Sequence, residues 1–398
     1  MDITIQPGAL TGRISVIPSK SQAHRYLICA AFADGPTIIH CPETNRDMDA
    51  TADCLRALGA DIRKDDQGYR VIPVSKVPQK ALLPCRDSGS TLRFLLPVAG
   101  ALGVDATFQM EGRLPGRPLS PLWEEMERMG CRLTRPADTT LRTEGRLQCG
   151  TYQVDGGISS QFITGLLFAA ALIPGKSHIE ITGTVQSKPY IGMTLRAMEV
   201  FGKECRDFRV SGEKSFHSPG TLSVEGDWSN GAFFLAANAL GSRLEILGLD
   251  PESAQGDRAA AELIPGLSRH RTISCADIPD LVPILAVTAA CKQGAVFENI
   301  QRLRLKESDR VETVSRMIEA LGGQARSTEN TLEISGTGLR GGTVDANNDH
   351  RIAMAAAIAA TACRQPVTIL GAECVQKSYP RFFEEFRRLG GSYEQYIR

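Results

Sequence analysis

The sequence lacks the features that would place it in a membrane or on nucleic acid. No segment approaches the roughly 18 consecutive apolar residues that a membrane-spanning helix needs, although 42% of the 398 residues are hydrophobic. No charge excess is present either, because 45 Lys and Arg residues balance 45 Asp and Glu residues. The chain as a whole therefore has no field that would attract nucleic acid or an anionic membrane, and any anion site must be local.

Paired cysteines are also missing. The eleven cysteines are odd in number and form no CxxC pair, which fits neither a disulfide framework nor a zinc site. We expect them to be small buried hydrophobic residues in a reducing compartment. The N-terminal segment alternates like a strand and lacks the basic flank and apolar core of a signal peptide. These observations predict a cytoplasmic protein without a metal ion.

The signatures of several common enzyme classes are absent as well. The nearest Walker-like string, residues 170–177, lacks its first glycine, and no GxGxxG follows a strand pattern. The six histidines show no HExxH spacing, and no GxSxG elbow occurs. P-loop NTPases, zinc enzymes and serine hydrolases are therefore disfavoured.

A short motif in which glycine follows the predicted end of a helix recurs along the chain, each time after a charged amphipathic segment. Glycine just beyond a helix end adopts the left-handed conformation at little cost. The spacing predicts six repeats of roughly 60–70 residues, with a degenerate copy near residues 265–266. A chain of 398 residues also exceeds what one core usually organises, so we expect two domains. The glycines are Gly59, Gly130, Gly202, Gly322 and Gly390.

A second series of segments is Ala-rich and almost free of charge, which predicts buried helices. Each follows a polar cluster of the kind that caps a helix N-terminus. The N-terminus of a helix presents free N–H groups and a partial positive charge, which suit phosphate or carboxylate. Several such ends together predict an anion site. The clusters are residues 19–21, 88–91, 159–161, 229–230 and 348–349.

Basic residues lie in turns of small residues beside these clusters. One alone is typical of a solvated surface charge. Arg93 and Arg351 differ, because each begins a helix too apolar to be exposed. A buried charge needs an anionic partner, either a bound dianion or a structural carboxylate.

The segments that carry these residues resemble the 5-enolpyruvylshikimate-3-phosphate synthase family in order and approximate spacing over nearly the whole chain. They are PSKSQAHR, DSGSTLRFL, GRLPGRP, ISSQF, SKPYIGMTL, VEGD, DIPD, RLKESDR, NDHR and QKSYP. The resemblance implies an α/β (α+β) fold, a two-domain inside-out α/β barrel in which each domain has three copies of a βαβαββ unit with buried helices. It implies a shikimate-3-phosphate-binding domain at residues 20–226. Residues 1–19 and 227–398 would form a discontinuous second domain that carries much of the phosphoenolpyruvate site.

The activity that the resemblance implies is transfer of the enolpyruvyl group of phosphoenolpyruvate to the 5-hydroxyl of shikimate 3-phosphate, in chorismate and aromatic amino acid biosynthesis. Addition of the hydroxyl at C2 with protonation of C3 gives a tetrahedral intermediate, and loss of a C3 proton and phosphate completes the reaction. No metal or cofactor takes part. The resemblance also implies a monomer that glyphosate inhibits by competing with phosphoenolpyruvate, for which Gly89 leaves space.

The resemblance assigns catalytic roles to Lys20, Asp280, Glu307 and Lys377. Asp280 would hold the 5-hydroxyl and accept its proton, and Glu307 would move a proton at the phosphoenolpyruvate methylene. The implied contacts of shikimate 3-phosphate are Lys20, Ser21, Arg25, Ser159, Ser160, Gln161, Ser187, Asp280 and Lys306. Those of phosphoenolpyruvate are Lys20, Gly89, Arg113, Gln161, Arg310, Arg351 and Lys377.

Some positions depart from the family pattern. Arg302 stands where one branch has Asn, which puts a shikimate contact in doubt. Asp87 and Ser88 replace the Asn-Ala of many members, and Phe94 stands where some have Pro, which would reshape the wall behind Gly89.

Two alternatives remain open. A UDP-N-acetylglucosamine enolpyruvyl transferase shares the fold and cosubstrate, but residues 86–130 lack the reactive cysteine of that enzyme. A non-catalytic anion-binding homologue is the other, although binding alone would not need Asp280 and Glu307.

We predict that shikimate 3-phosphate closes the two domains around the ligands. The implied shikimate contacts lie mainly in one half of the chain, whereas Asp280, Arg310 and Arg351 lie in the other. Bound phosphate would neutralise one set of cations, and the ring hydroxyls would offer Asp280 a partner, so the ligand favours the closed state. Small-angle scattering should show a smaller radius of gyration with the ligand. An unchanged radius at saturation, with Asp280→Ala binding as tightly as wild type, contradicts the prediction.

Overall fold

The computed structural model describes residues 1–396. Helices are interspersed among single strands and runs of strands along the chain. The strands are β1 (Asp2–Ile5), β2 (Thr11–Ser15), β3 (Thr37–His40), β4 (Asp61–Asp65), β5 (Gly68–Ile72), β6 (Lys80–Arg86), β7 (Asp105–Met110), β8 (Cys131–Thr134), β9 (Thr140–Gly145), β10 (Thr151–Asp155), β11 (Lys176–Thr182), β12 (Cys205–Arg206), β13 (Arg209–Ser211), β14 (Thr221–Ser223), β15 (Arg243–Leu247), β16 (Arg271–Ser274), β17 (Ala295–Glu298), β18 (Ala325–Ser327), β19 (Thr331–Ile334), β20 (Gly342–Asp345), β21 (Val367–Leu370) and β22 (Tyr393–Tyr396).

The helices occur singly between these strands, as a βα repeat requires. They are α1 (Lys20–Ala31), α2 (Arg46–Ala57), α3 (Gly89–Leu102), α4 (Leu122–Arg128), α5 (Ser160–Ala170), α6 (Lys188–Val200), α7 (Trp228–Ala239), α8 (Ala260–Gly266), α9 (Val282–Cys291), α10 (Arg310–Ala320), α11 (His350–Ala360) and α12 (Phe382–Arg388). Contacts divide the chain into one unit of Pro18–Val224 and a second of Met1–Ile17 with the chain from Glu225 onward. The two-domain α/β class is confirmed. Which unit binds which substrate stays a prediction.

The unit Pro18–Val224 contains three four-stranded sheets of one topology. In each, the first and second strands are parallel, and the fourth lies antiparallel between the second and the third. The strand orders are β14-β3-β5-β4, β6-β7-β9-β8 and β10-β11-β13-β12. With their helices the last two sheets are βαβαββ units, and β14 supplies the first strand of the other one. These sheets are open at both edges, and no hydrogen-bonded barrel closes in this unit.

The second unit repeats this topology in two four-stranded sheets. Their orders are β16-β17-β19-β18 and β20-β21-β1-β22, with the N-terminal strand β1 as the fourth strand of the latter. Strand pairing brings apolar residues of neighbouring strands side by side. In the first of these sheets, for example, Ile273 pairs with Phe297, and Phe297 pairs with Leu332. All three side chains are buried. Each unit thus has a core of its own.

The remaining copy in this unit is incomplete. It has only β2 and β15, in parallel, with α7 and α8, and the chain passes from α8 to β16 without a hairpin. The degenerate copy expected near residues 265–266 is therefore a truncated one. Gly266 ends α8, but it is not among the glycines with a positive φ. The side chain of Asn238 occupies the place of the missing strand, since its amide nitrogen donates to the Leu244 carbonyl oxygen (2.9 Å) and its oxygen accepts from the Leu244 N–H (2.7 Å).

The repeated glycine stops are confirmed. All five have a positive φ, between +66° and +110°, which a residue with a Cβ adopts only at a cost. A strand follows each of these stops within a few residues. The glycines concerned are Gly59, Gly130, Gly202, Gly322 and Gly390.

The Ala-rich helices are buried, as their composition predicts. All eleven residues of α11 are buried, and so are nine of the ten in α9. Side chains of Ser19, Ser88, Ser159 and Asp349 cap α1, α3, α5 and α11. At α7 the expected cap is wrong by two residues: Asp227 accepts from the Asn230 N–H (2.8 Å), and Ser229 and Asn230 lie inside the helix.

No helix among residues 1–396 is long and apolar enough to cross a membrane. Eight cysteines are buried, Cys205 and Cys291 are half-buried, and Cys149 is exposed. All eleven are free thiols, as expected from the sequence, although Cys149 does not have the buried position we expected.

We predict that Asn238→Ala destabilises the protein by about 1–3 kcal/mol, because it removes two hydrogen bonds that satisfy the edge of β15. Chemical denaturation measures the change in the free energy of unfolding. Gln109→Ala, on an exposed position of the complete strand β7, is the control and should change it by less than about 0.5 kcal/mol. Equal effects of the two substitutions contradict the role of Asn238.

Candidate functional site

The carboxylate of Asp280 lies between two arginines of the second unit. Its Oδ1 accepts from Arg310 Nη1 at 2.6 Å and its Oδ2 from Arg351 Nη2 at 2.8 Å. Lys306 Nζ is 3.9 Å from Oδ1. Burial works to raise the pKa of Asp280, but Arg351, Lys306 and Arg310 together hold it well below its usual range. Asp280 is therefore an anion that forms hydrogen-bonded ion pairs with the guanidinium groups of Arg310 and Arg351.

The guanidinium of Arg310 is almost fully buried, at 1% exposure, and pairs with three carboxylates. Besides Asp280 these are Glu307, at 2.7 Å, and Asp349, at 2.8 Å. Burial works to lower the pKa of Arg310, but Asp349, Glu307 and Asp280 raise it well above its usual value. Because Arg310 begins α10, its charge is held at the start of that helix.

Asp349 connects the helices that carry the two arginines. Its carboxylate caps α11 by accepting from the Arg351 N–H (3.0 Å), and it accepts from Arg310 Nε and from Ser308 Oγ (2.9 Å). Sequence reasoning identified Asp349 only as part of a capping cluster and missed this pairing. Its signal was the NDHR string, in which an acid lies two residues before the buried arginine.

Two lysines of this unit belong to the site predicted from the sequence. Burial, with help from Arg310 and Arg302, lowers the pKa of Lys306 to about 8, and Asp280 opposes that shift. Arg302, the residue that departs from the family pattern, is thus close enough to act on Lys306. Lys377 is buried in the 3-10 helix Ala372–Lys377, which packs on α11.

In the other unit, the start of α3 carries Gly89 and Arg93. Ser88 Oγ accepts from the Thr91 N–H at 3.3 Å and caps the helix. Arg93 is buried, and its Nη1 donates to Gln161 Oε1 (3.2 Å). Gln161 Nε2 in turn donates to Ser90 Oγ (2.9 Å). The starts of α3 and α5 are therefore joined through side chains.

Lys20 and Arg25, both on α1, have different surroundings. Lys20 begins the helix, and its Nζ lies 3.0 Å from the buried carboxylate of Asp47, a partner that sequence reasoning missed. Arg25 is buried, and it donates to Thr194 Oγ1 (2.9 Å), the Ser21 carbonyl (2.5 Å) and the Tyr190 carbonyl (2.8 Å). Burial lowers the pKa of Arg25 to about 10. Arg25 thus binds protein groups in this structure.

The other residues of the sequence-based site lie at helix starts or in a loop. Ser159 caps α5, which begins at the buried Ser160. Ser187 precedes α6 in the left-handed conformation, with φ at +55°. Ser21 is half-buried on α1, whereas Arg113 is exposed just before the 3-10 helix Leu114–Gly116. The structure therefore gathers Asp280, Lys306, Glu307, Arg310 and Arg351 into one ionic cluster and joins Gly89 to Gln161 through Arg93 and Ser90.

Residues 1–396 contain no group of three or more His, Cys, Asp or Glu side chains arranged to hold a metal ion. The charged groups that the structure brings together are cations with carboxylates. Such a cluster can bind an anionic ligand and move a proton.

The family model described as EPSP synthase (3-phosphoshikimate 1-carboxyvinyltransferase) matches residues 5–267 and 264–386. The chain belongs to the EPSP synthase family. A 3-phosphoshikimate 1-carboxyvinyltransferase of Clostridium kluyveri is 37% identical, with 99% of this chain and 98% of that protein aligned. Another, of Clostridium perfringens, is 37% identical over 98% of each chain.

Solved structures share the fold. An EPSP synthase from Acinetobacter baumannii has a TM-score of 0.77 at 23% identity and covers 99% of this chain and 100% of its own. The enolpyruvyl transferase NikO from Streptomyces tendae has a TM-score of 0.73 at 17% identity, with 99% and 98% covered. At such identities the likeness concerns the fold alone, and the family assignment rests on the sequence matches.

One further acid of this family member lies beside the cluster. Asp257, in the 3-10 helix Gly256–Ala259, is 3% exposed and accepts a hydrogen bond from Ser229 Oγ. Burial first, and then the charge of Asp280, raise the pKa of Asp257 to about 7, against the effect of Arg351. Between about pH 4 and pH 7 the carboxyl group of Asp257 is therefore protonated in the folded state but ionised in the unfolded chain.

We predict that Asp257 makes the protein less stable as the pH rises from 5 to 7. The pKa of Asp257 is higher in the folded state than in the unfolded chain. The contribution of its bound proton to the free energy of unfolding is therefore lost as the pH rises through this range. Asp257→Asn cannot ionise, and its stability relative to wild type should increase from pH 5 to pH 8. Chemical denaturation across this range measures the difference, with the exposed Asp138→Asn as control. Parallel curves for Asp257→Asn and wild type contradict the prediction.

Proposed function

We propose that the chain transfers the enolpyruvyl group of phosphoenolpyruvate to the 5-hydroxyl of shikimate 3-phosphate, releasing phosphate. Family membership supports this reaction. The observation that supports the chemistry is the contact of the Asp280 carboxylate with Arg310 and Arg351, because a carboxylate can accept a proton and an arginine can bind a carboxylate.

Arg310 and Arg351 are the proposed ligands of the phosphoenolpyruvate carboxylate. They now hold the Asp280 carboxylate at 2.6 and 2.8 Å, and arginine pairs with any carboxylate through the same planar fork. When Asp280 turns to the substrate hydroxyl, the two guanidiniums become available. Lys20, Lys377, Gln161, Gly89 and Arg113 are the further proposed contacts, all taken from the resemblance.

Shikimate 3-phosphate is proposed to bind chiefly at the helix starts of the unit Pro18–Val224. The N-terminus of α5, with Ser159, Ser160 and Gln161, offers hydroxyls and free N–H groups to the phosphate. Ser21, Arg25 and Ser187 are further proposed contacts. Arg25 must exchange at least one of its protein acceptors for the ligand. Asp280 and Lys306 are proposed contacts of the shikimate ring, also taken from the resemblance.

The proposed mechanism combines proton transfers by two carboxyl groups with stabilisation of negative charge by nearby cations. Asp280 takes the proton of the 5-hydroxyl as that oxygen attacks C2, and the methylene carbon C3 receives a proton from Glu307. Loss of a C3 proton and departure of phosphate complete the transfer. Fixed cations stabilise the charge on the carboxylate and the leaving phosphate. Holding two reactants in place contributes on the order of 7–11 kcal/mol in well-oriented reactions.

We predict that Asp280→Asn and Glu307→Gln each lower turnover by more than about a hundredfold, a common general acid–base contribution. A coupled phosphate-release assay with both substrates measures it, and calorimetry should show that Glu307→Gln still binds shikimate 3-phosphate. Glu312→Gln, an exposed acid of the same helix start, is the matched control and should keep wild-type turnover. Near-normal turnover of either test variant removes that residue from the mechanism.

The same assay separates the alternatives. Phosphate release with UDP-N-acetylglucosamine instead of shikimate 3-phosphate would indicate the related transferase, and no release with either acceptor would indicate a binding protein. We further propose a cytoplasmic monomer that glyphosate inhibits. Free, mostly buried cysteines support a reducing compartment.

A further inference from the structure

An open pocket of ≈ 600 Å³ in the unit Pro18–Val224 is lined by residues of the strands β10, β11, β12 and β13. Pockets of this size commonly hold a small molecule. Basic side chains outnumber acidic ones in the lining, although Lys and Arg balance Asp and Glu over the whole chain. The pocket is therefore locally positive, as an anion site requires. Its charged and histidine residues are Lys176, His178, Glu204, Arg206 and Arg209.

Strand register brings three of these side chains together. His178 of β11 pairs with Arg209 of β13, and Arg209 pairs with Arg206 of β12. Residues paired in this way have Cβ atoms about 4.5–5.5 Å apart on the same face of a sheet. Two arginines directly opposite each other repel. An anion with two neighbouring negative groups relieves this repulsion.

Carboxylates of the protein do little to compensate the basic side chains. Within residues 1–396 the side chains of Lys176 and Arg209 form no hydrogen bond or ion pair. Arg206 lies 3.4 Å from Glu204, but these two side chains are 84% and 82% exposed. Because such exposed ion pairs contribute little, the positive charge of the pocket remains available to a ligand.

The equivalent sheet β6-β7-β9-β8 neutralises an arginine of its fourth strand. There Arg142 lies 2.8 Å from Asp105 and 2.8 Å from Glu144. Since the two sheets share one topology, the uncompensated charge of the pocket comes from its own sequence and not from the fold.

A strained hairpin turn holds the two arginines of the pocket in place. Asp207 and Phe208 join β12 to β13, and both have a positive φ, at +48° and +58°. Two-residue hairpin turns of this kind usually contain Asn and Gly, and Phe adopts a positive φ only at a cost. Phe208 packs against the core, and its carbonyl accepts from the Ile179 N–H at 2.9 Å. The turn thereby fixes Arg206 and Arg209 beside each other before any ligand binds.

The pocket is separate from the proposed binding place of shikimate 3-phosphate. Thr151 of the pocket begins β10, whereas Ser159 and Ser160 follow the other end of that strand. The ends of a strand of this length lie about 13 Å apart. A ligand in the pocket therefore leaves the start of α5 open.

We propose that this pocket is a second binding site, for a small molecule with two neighbouring oxyanion groups, either phosphates or carboxylates. Arg206 and Arg209 pair with one group each, because the planar guanidinium matches the oxygens of both kinds of group. Lys176 adds a third positive charge. The inference does not depend on the proposed function, since none of these residues takes part in the proposed reaction.

Isothermal titration calorimetry tests the proposal with two probes, pyrophosphate for neighbouring phosphates and citrate for neighbouring carboxylates. The test variant is Arg206→Gln/Arg209→Gln. The matched control is Arg63→Gln/Arg70→Gln, because these exposed arginines also pair across two strands but do not line the pocket. The probe that wild type binds more tightly identifies the kind of oxyanion group.

We expect the test variant to raise the Kd of that probe by at least about tenfold, as for loss of hydrogen bonds to charged groups. The control should change it by less than about twofold. Binding of the probe at the candidate substrate site is common to wild type and both variants, so it cancels in the comparison. Circular dichroism checks folding, and if the test variant does not fold, Lys176→Gln takes its place with an expected increase in Kd of at least about threefold.

Three results overturn the inference: no binding of either probe by wild type, the same Kd in wild type and the folded test variant, or an equal loss of affinity in the control. Failure of the proposed function is distinguishable from these. A wild type without enolpyruvyl transfer contradicts the proposed function alone, because the calorimetric comparison does not require turnover.

Discussion

The buried charge of Arg310 is the constraint on which the candidate site depends. A guanidinium at 1% exposure is costly unless carboxylates and hydrogen bonds compensate it. Three carboxylates do so: Asp280 before α9, Glu307 before α10 and Asp349 at the start of α11. The need to pair one cation thereby brings the starts of three helices to one place.

The repeated unit explains why these starts carry chemistry. Each apolar helix lies buried beneath its sheet, so that its length is used for packing and only its N-terminus offers polar groups. Caps such as Ser88, Ser159 and Asp349 satisfy some of the N–H groups there. A cation beside such a terminus, such as Arg93 or Arg351, combines its own charge with that of the helix.

Much of this organisation follows from the sequence, because it depends on local rules. Glycine at a helix end, a polar cap and an Ala-rich run each act within a few residues, and Gly59, Ser159 and α11 behave as those rules predict. Side-chain pairing across long separations is different. Arg351 meets Asp280, 71 residues away, and Asn238 substitutes for a strand that the chain lacks. Periodicity contains no information on which acid a buried arginine will meet.

Analysis of the reaction products is the most direct test of the proposed enolpyruvyl transfer. The purified protein is mixed with shikimate 3-phosphate and phosphoenolpyruvate, and mass spectrometry follows the organic product while released phosphate is counted. We expect one enolpyruvyl ether and one phosphate for each phosphoenolpyruvate consumed, and neither product when one substrate is omitted. Phosphate without the ether, or an ether formed on UDP-N-acetylglucosamine and not on shikimate 3-phosphate, would contradict it.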